Sequence, residues 1–296
     1  MTEVRGRGPS PVGRVLSVRV PASAPAGLRP LSPRPARLYL PPAHPDPEIR
    51  PGSGEGSAPS GGADGSGLPV LVLMSGQPGS PEDWVTRGGL VETMDALAAL
   101  YDGIAPIVLV VDQLGSPWRN PLGSDTPRGG AAATYLEEDV PSWLRGHTAA
   151  TADPARWAIG GVSNGATCAL QVIARRRGPF RTFLAMSAQE HPCLEPPALT
   201  VPVGFGGDRV AFETNDPLSL WAAARPGAYD GVAGVLSAGR SDRRYAPAAP
   251  VLARAAGAAG IEVSTRTYTG GHEWSVWSRA LADQAGWLAG RLGLGA

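Results

Sequence analysis

From residue 69 onward, apolar and polar positions fall into two alternating rhythms. Short strand-like runs bounded by Gly, Pro or Asp recur at 70–74, 107–111, 157–160, 183–186, 232–236 and 261–268, all but the last of them apolar throughout or broken only by Gly. Runs this short suit strands buried on both faces, as in a parallel sheet covered by helices, and all six are read as buried strands. Helical spacing fills the intervals. Leu90, Met94, Leu97 and Tyr101 stand at i, i+4, i+7 and i+11, and Gly103 closes the pattern. Ser80-Pro81-Glu82-Asp83 ahead of it reads as a helix start, with a capping Ser, Pro at the first helical position and an acid behind. Ala166, Ala169, Leu170 and Ile173 form a second stripe, which closes on Arg175-Arg176-Arg177 before Gly178 and Pro179. Those arginines read as solvated charge complementing the negative helix end. Trp274, Trp277, Leu281, Ala285 and Leu288 make a third stripe. Strand and helix alternating in this way predict an α/β fold with a mostly parallel central sheet and helices on both faces.

Residues 36–40 add a strand-like run near the N-terminus, separated from the run at 70–74 by PGSGEGSAPSGGADGSG at 51–67. That stretch has little to bury and reads as an elongated flexible loop. Residues 1–50 are too short and too Pro-rich for a domain of their own. The expected organisation is one domain over 1–296: N-terminal strands within 14–50, the Gly/Ser/Pro loop at 51–67, and a catalytic core over 68–296.

Composition excludes several classes. Lys+Arg and Asp+Glu both number 26, so no basic field exists to hold nucleic acid. No apolar run approaches the ~20 residues that cross a bilayer. Arg5, Arg7 and Arg14 precede no apolar secretory segment, so a cytoplasmic location is expected. Cys168 and Cys193 form no CxxC motif and read as two free thiols, with one disulfide as the alternative for an exported protein. No metal or cofactor motif appears.

The chemistry centres on Gly161-Val162-Ser163-Asn164-Gly165, the one G-x-S-x-G in the chain. It follows the strand at 157–160 and precedes the helix starting near Ala166, the placement a nucleophile elbow requires in an α/β-hydrolase fold. There the turn is tight enough that both flanking positions must be Gly, and the helix N-terminus beneath offers free N–H groups. Of four histidines, His272 lies in the loop after the last strand, in the order Ser, acid, His, and is the expected base. Asp242, beyond the run at 232–236, is the expected orienting acid, with Asp208 as competitor. His191, after the strand that follows the elbow helix, also falls within reach of the site. Two backbone donors are expected to bind the oxyanion: Asn164, next to the nucleophile, and Gln77 in Ser75-Gly76-Gln77-Pro78, where Pro78 has no N–H.

At these residues the chain resembles the putative-esterase branch of the α/β-hydrolases, the group of esterase D, the enterochelin esterases and the mycolyltransferases, in its actinobacterial form. The matching segments are Ser75-Gly76-Gln77, Thr134-Tyr135-Leu136 with Val140-Pro141-Ser142-Trp143-Leu144, the elbow, and Gly270-Gly271-His272-Glu273-Trp274. The resemblance implies a cofactor-free serine esterase acting through an acyl-enzyme, with Ser163, Asp242 and His272 as triad and Gln77 and Asn164 as donors. Its substrate would be a small-molecule or lipid-like ester. Mycolyltransferases carry Glu where Asp stands here. Two alternatives stay open: an acyltransferase passing the acyl group to an alcohol, and a non-catalytic binding protein on the same scaffold. Trp118, Phe205, Trp221 and Trp274 are candidate pocket residues, although an aromatic is more often core than ligand contact.

Overall fold

A computed structural model of the chain describes residues 12–45 and 67–295. The stretch at 51–67 lies outside them except for Gly67, as do the first residues on which the export reading rests. Eight strands form one sheet: β1 (Arg14–Val18), β2 (Ala36–Leu40), β3 (Val70–Met74), β4 (Ile107–Val111), β5 (Trp157–Val162), β6 (Thr182–Met186), β7 (Ala233–Gly239) and β8 (Glu262–Tyr268). Their order is β1-β2-β4-β3-β5-β6-β7-β8. The β1–β2 and β2–β4 pairs are antiparallel and the remaining five are parallel. This is the α/β-hydrolase fold. Chain order reverses around β3, which has β4 on one side and β5 on the other. The crevice beyond the C-terminal ends of β3 and β5 is therefore the topological switch point, where open α/β sheets hold their ligands.

Every residue of β3 through β7 is buried, as the unbroken apolar runs require. Edge strand β8 is largely open to solvent, which corrects its reading as a buried strand: it has one neighbour only and carries Ser264, Thr265, Arg266 and Thr267. Alternation along the strands feeds two cores. Val70, Val72, Met74, Leu109 and Val111 point to one; Leu71, Leu73, Val108 and Val110 point to the other. The helices are α1 (Glu82–Thr86), α2 (Leu90–Leu100), α3 (Val140–His147), α4 (Asn164–Arg175), α5 (Arg209–Glu213), α6 (Pro217–Ala222), α7 (Ala248–Ala258) and α8 (Trp274–Arg291). Helices α3, α4, α6 and α7 cover the first face, and α2 and α8 the second.

Three further expectations need correction. The runs read as ending at Gly160 and Leu236 continue as strand to Val162 and Gly239. Glycine looked like a terminator, but here it permits close backbone approach: a Cβ at Gly160 would lie 2.6 Å from the Leu184 carbonyl oxygen. The predicted helix start at Ser80 places Pro81 one residue early, at the cap of α1. Asp83 still reaches back to the Ser80 N–H at 2.6 Å.

The third correction concerns α4, which has no solvated face: Asn164 through Ala174 are all buried. Its last residue, Arg175, is not solvated charge. The side chain is 3% exposed and pairs with Glu137 at 2.5 Å. Further bonds run to the Asn215 side chain at 2.9 Å and the Gly123 carbonyl at 3.0 Å. Burial pushes the Glu137 carboxyl up while Arg175 opposes the shift. The helix stops two residues earlier than Gly178 suggested, with Arg176 itself in the left-handed conformation at φ 55°.

Candidate active site

Ser163 sits between β5 and α4 with φ 53° and ψ −117°, a conformation that L-residues rarely adopt and that turns its side chain out of the strand end. The flanking glycines are required sterically. A Cβ at Gly161 would approach the Met74 carbonyl oxygen to 2.7 Å, and one at Gly165 would approach the same oxygen to 2.5 Å. The Ser163 N–H donates to the Met186 carbonyl at 2.8 Å, which ties the elbow to the end of β6.

His272 lies in the turn joining β8 to α8. Its Nε2 is 3.0 Å from Ser163 Oγ, and its Nδ1 is 2.7 Å from Asp242 Oδ2. Asp242 is 4% exposed, and its second oxygen accepts the Tyr245 N–H at 3.1 Å. An ionised carboxylate only accepts, so Nδ1 carries the proton and Nε2 is left as an acceptor for the serine O–H. The loops that carry Asp242 and His272 are fastened to each other. Arg240 N–H donates to the Tyr268 carbonyl at 2.7 Å, and Ser241 N–H to the Gly270 carbonyl at 2.8 Å. A Cβ at Gly239 would lie 2.2 Å from the Gly271 carbonyl oxygen, so only glycine fits. The Tyr245 ring lies against the imidazole at 4.5 Å, and Trp277 meets it edge-on at 4.9 Å. The Trp277 indole is held in turn by Ser187 Oγ at 3.2 Å.

The competing residues stand elsewhere. Asp208 caps α5 through the Ala211 N–H at 2.9 Å. His147 ends α3 and stacks on Trp143. His191 is paired not with Ser163 but with buried Asp216 at 2.9 Å, which also caps α6 through Ser219. That bond raises the His191 pKa above 6.5, so charged His191 favours the folded state. Its contribution is complete below the unfolded pKa and disappears as pH rises through the higher folded value. Because His191 is half-exposed, screening keeps the effect small. His191→Gln is expected to lower the melting temperature by about 1–2 °C at pH 5.5 and by nothing measurable at pH 9. Calorimetry at the two pH values checks this.

The loop after β3 packs against the elbow: a Cβ at Gly76 would come within 3.2 Å of Ser163 Cβ. Gln77 follows it, half-buried, and Asn164 opens α4, so its N–H is among those a helix leaves without an internal partner. Arg34, held by Asp112 at 2.8 Å, grips this loop through the Gly79 carbonyl at 2.7 Å.

The four pocket candidates divide. Trp118 is 82% exposed. Phe205 belongs to a small cluster with Leu122, Leu194 and Phe212. Trp221, on α6, is buried in the core with residues of α4 and α7. Trp274 meets Trp277 edge-on at 5.3 Å, and Trp277 in turn meets His272. Tyr245, Trp277, Gln113 and Asn120 carry no sequence motif and escaped prediction. Cys168 and Cys193 are both free thiols; burial pushes Cys168 up to about 12. Among the described residues, no group of three His, Cys, Asp or Glu could hold a metal ion. No helix among them is long and apolar enough to cross a membrane.

Fold and site together define an α/β-hydrolase with a serine at its elbow. The chain belongs to the family described as "Putative esterase", whose model matches residues 57–288. That family is one of carboxylic-ester hydrolases. An uncharacterized protein of Corynebacterium glutamicum is 40% identical over 230 residues, covering 77% of this chain and 54% of that protein. The chain thus spans about half the length of the curated relative it matches. Among solved structures, a ferulic acid esterase superposes with a TM-score of 0.69 at 20% identity, covering 95% of this chain and 99% of the other. An S-formylglutathione hydrolase from Agrobacterium tumefaciens gives 0.68 at 19% identity, covering 95% of both.

Proposed function

We propose that this protein hydrolyses carboxylic esters of small-molecule or lipid-like substrates through an acyl-enzyme on Ser163. The observation that carries the reading is the unbroken chain from Asp242 through His272 to Ser163, with links of 2.7 and 3.0 Å, at the switch point of the sheet. Ser163 Oγ attacks the acyl carbon while His272 Nε2 takes its proton. The carbonyl oxygen becomes an oxyanion, bound by the backbone N–H groups of Gln77 and Asn164 at the positive end of α4. As the tetrahedral intermediate collapses, His272 returns the proton to the departing alkoxide. Water then repeats the sequence on the acyl-serine, with His272 first as base and then as acid. Asp242 holds the imidazole in its tautomer and stabilises the imidazolium.

A fluorophosphonate probe is expected to label Ser163 stoichiometrically and to abolish turnover of p-nitrophenyl esters. Failure to label would favour the binding-protein alternative. Product analysis with alcohol acceptors present separates hydrolysis from acyl transfer: free acid as the sole product supports the proposal, and acceptor ester at the expense of acid overturns its hydrolytic part.

A further inference from the structure

Three side-chain amides lie in series behind the elbow. Gln113, two residues beyond the end of β4 and 1% exposed, donates through Nε2 to the Ser75 carbonyl at 2.7 Å and to Asn164 Oδ1 at 3.1 Å. Asn164 Nδ2 donates to Asn120 Oδ1 at 3.3 Å. Asn120 Nδ2 donates to the Cys193 carbonyl at 3.0 Å, while its Oδ1 also accepts the Leu122 N–H at 2.8 Å.

The direction of this chain is determined at both ends. Backbone carbonyls only accept, so the Gln113 nitrogen must face Ser75 and the Asn120 nitrogen must face Cys193. With those two amides oriented, the middle amide of Asn164 has one consistent orientation. Each of the two hydrogens on Gln113 Nε2 thus meets an acceptor on a different element. One belongs to the loop that carries Gln77, the other to the residue after the nucleophile. Among the described residues, Gln113 is the side chain seen to donate to both halves of the proposed oxyanion site.

We infer that Gln113 is a positioning residue that sets the spacing between the Gln77 and Asn164 N–H donors by bridging the Ser75 carbonyl and the Asn164 side chain. This inference rests on the hydrolase reading. Oxyanion donors act only if they are aimed at where the charge develops, and a misplacement of about 1 Å can cost on the order of 100-fold in rate. Losing the bridge therefore affects the transition state and leaves ground-state binding almost untouched. A residue that merely filled space would show the opposite pattern, with lowered stability and little change in kcat.

Wild type and Ser163→Ala, assayed on p-nitrophenyl acetate, test the underlying reading first. Without Ser163-dependent turnover that reading fails, and this inference fails with it. With turnover present, Gln113→Met keeps the length of the side chain and removes both donors. It is expected to lower kcat about 10- to 100-fold with KM changed less than threefold. Inhibition by a trifluoromethyl ketone, which forms a tetrahedral adduct on the serine, should weaken by the same factor as kcat/KM. Asn164→Ala cuts the bridge from its other side and keeps the backbone N–H. It should reproduce the loss, and the double variant should be no worse than the poorer single one. A kcat within threefold of wild type, or losses that multiply in the double variant, would overturn the inference. If Gln113→Met does not fold, Asn164→Ala with the inhibitor comparison decides alone, and unchanged inhibition overturns the bridge.

Discussion

Ser163→Ala is expected to lower kcat for ester hydrolysis on the order of 10⁶-fold, because members of a triad act as one unit and the loss of the nucleophile removes the whole covalent route. The remaining rate should reflect the oxyanion donors and substrate binding alone. Alanine retains a Cβ, so the variant holds the same positive-φ backbone at the elbow and should fold as wild type does. Matched melting curves would separate lost chemistry from lost structure. Active-site titration is essential to the assay, since one wild-type molecule in 10⁵ would mask a loss of this size. Residual activity within tenfold of wild type would move the nucleophile elsewhere.

Asp242→Asn is expected to cost about 10⁴-fold in kcat. The argument is one of tautomers. Asp242 accepts from His272 Nδ1 with one oxygen and from the Tyr245 N–H with the other. An asparagine can satisfy the backbone N–H with its oxygen only by turning its NH₂ toward the imidazole. Nδ1 must then accept, the proton moves to Nε2, and the serine loses its base. Asp208→Asn is the matched control. Asp208 caps α5, and asparagine caps a helix about as well as aspartate, so kcat should stay within twofold. The reverse pattern would exchange the roles of the two carboxylates.

Much of this architecture was legible because it rests on one-dimensional signals. The runs at 70–74 and 107–111 are apolar at every position, and such a run has nowhere to go but the middle of a covered sheet. The elbow announces itself by two glycines around a serine, and His272 by falling after the last strand. What was not legible depends on partners far along the chain. Arg175 looks like a solvated helix end until Glu137, Asn215 and Gly123 are folded around it. Thr167 and Gln171 interrupt the apolar stripe of α4 yet are buried there, because Gln171 finds the Leu122 and Asn215 carbonyls. Tyr245 touches His272 only because the loops after β7 and β8 lie side by side. Gln113 did leave one trace in the sequence. A polar pair, Asp112-Gln113, directly follows an unbroken apolar strand at the functional edge of the sheet, and both members turn out to be buried.

The backbone of Ser163 has a further consequence. A serine held at φ 53° and ψ −117° is a standing liability of about 1–3 kcal/mol, sustained by the strand and helix on either side of it. Selection for stability alone would remove it, since glycine adopts the same angles almost freely. A serine there is therefore evidence of use. In a lineage whose elbow had fallen idle, drift toward glycine at this one position would leave a sequence mark of retirement long before the fold itself decayed.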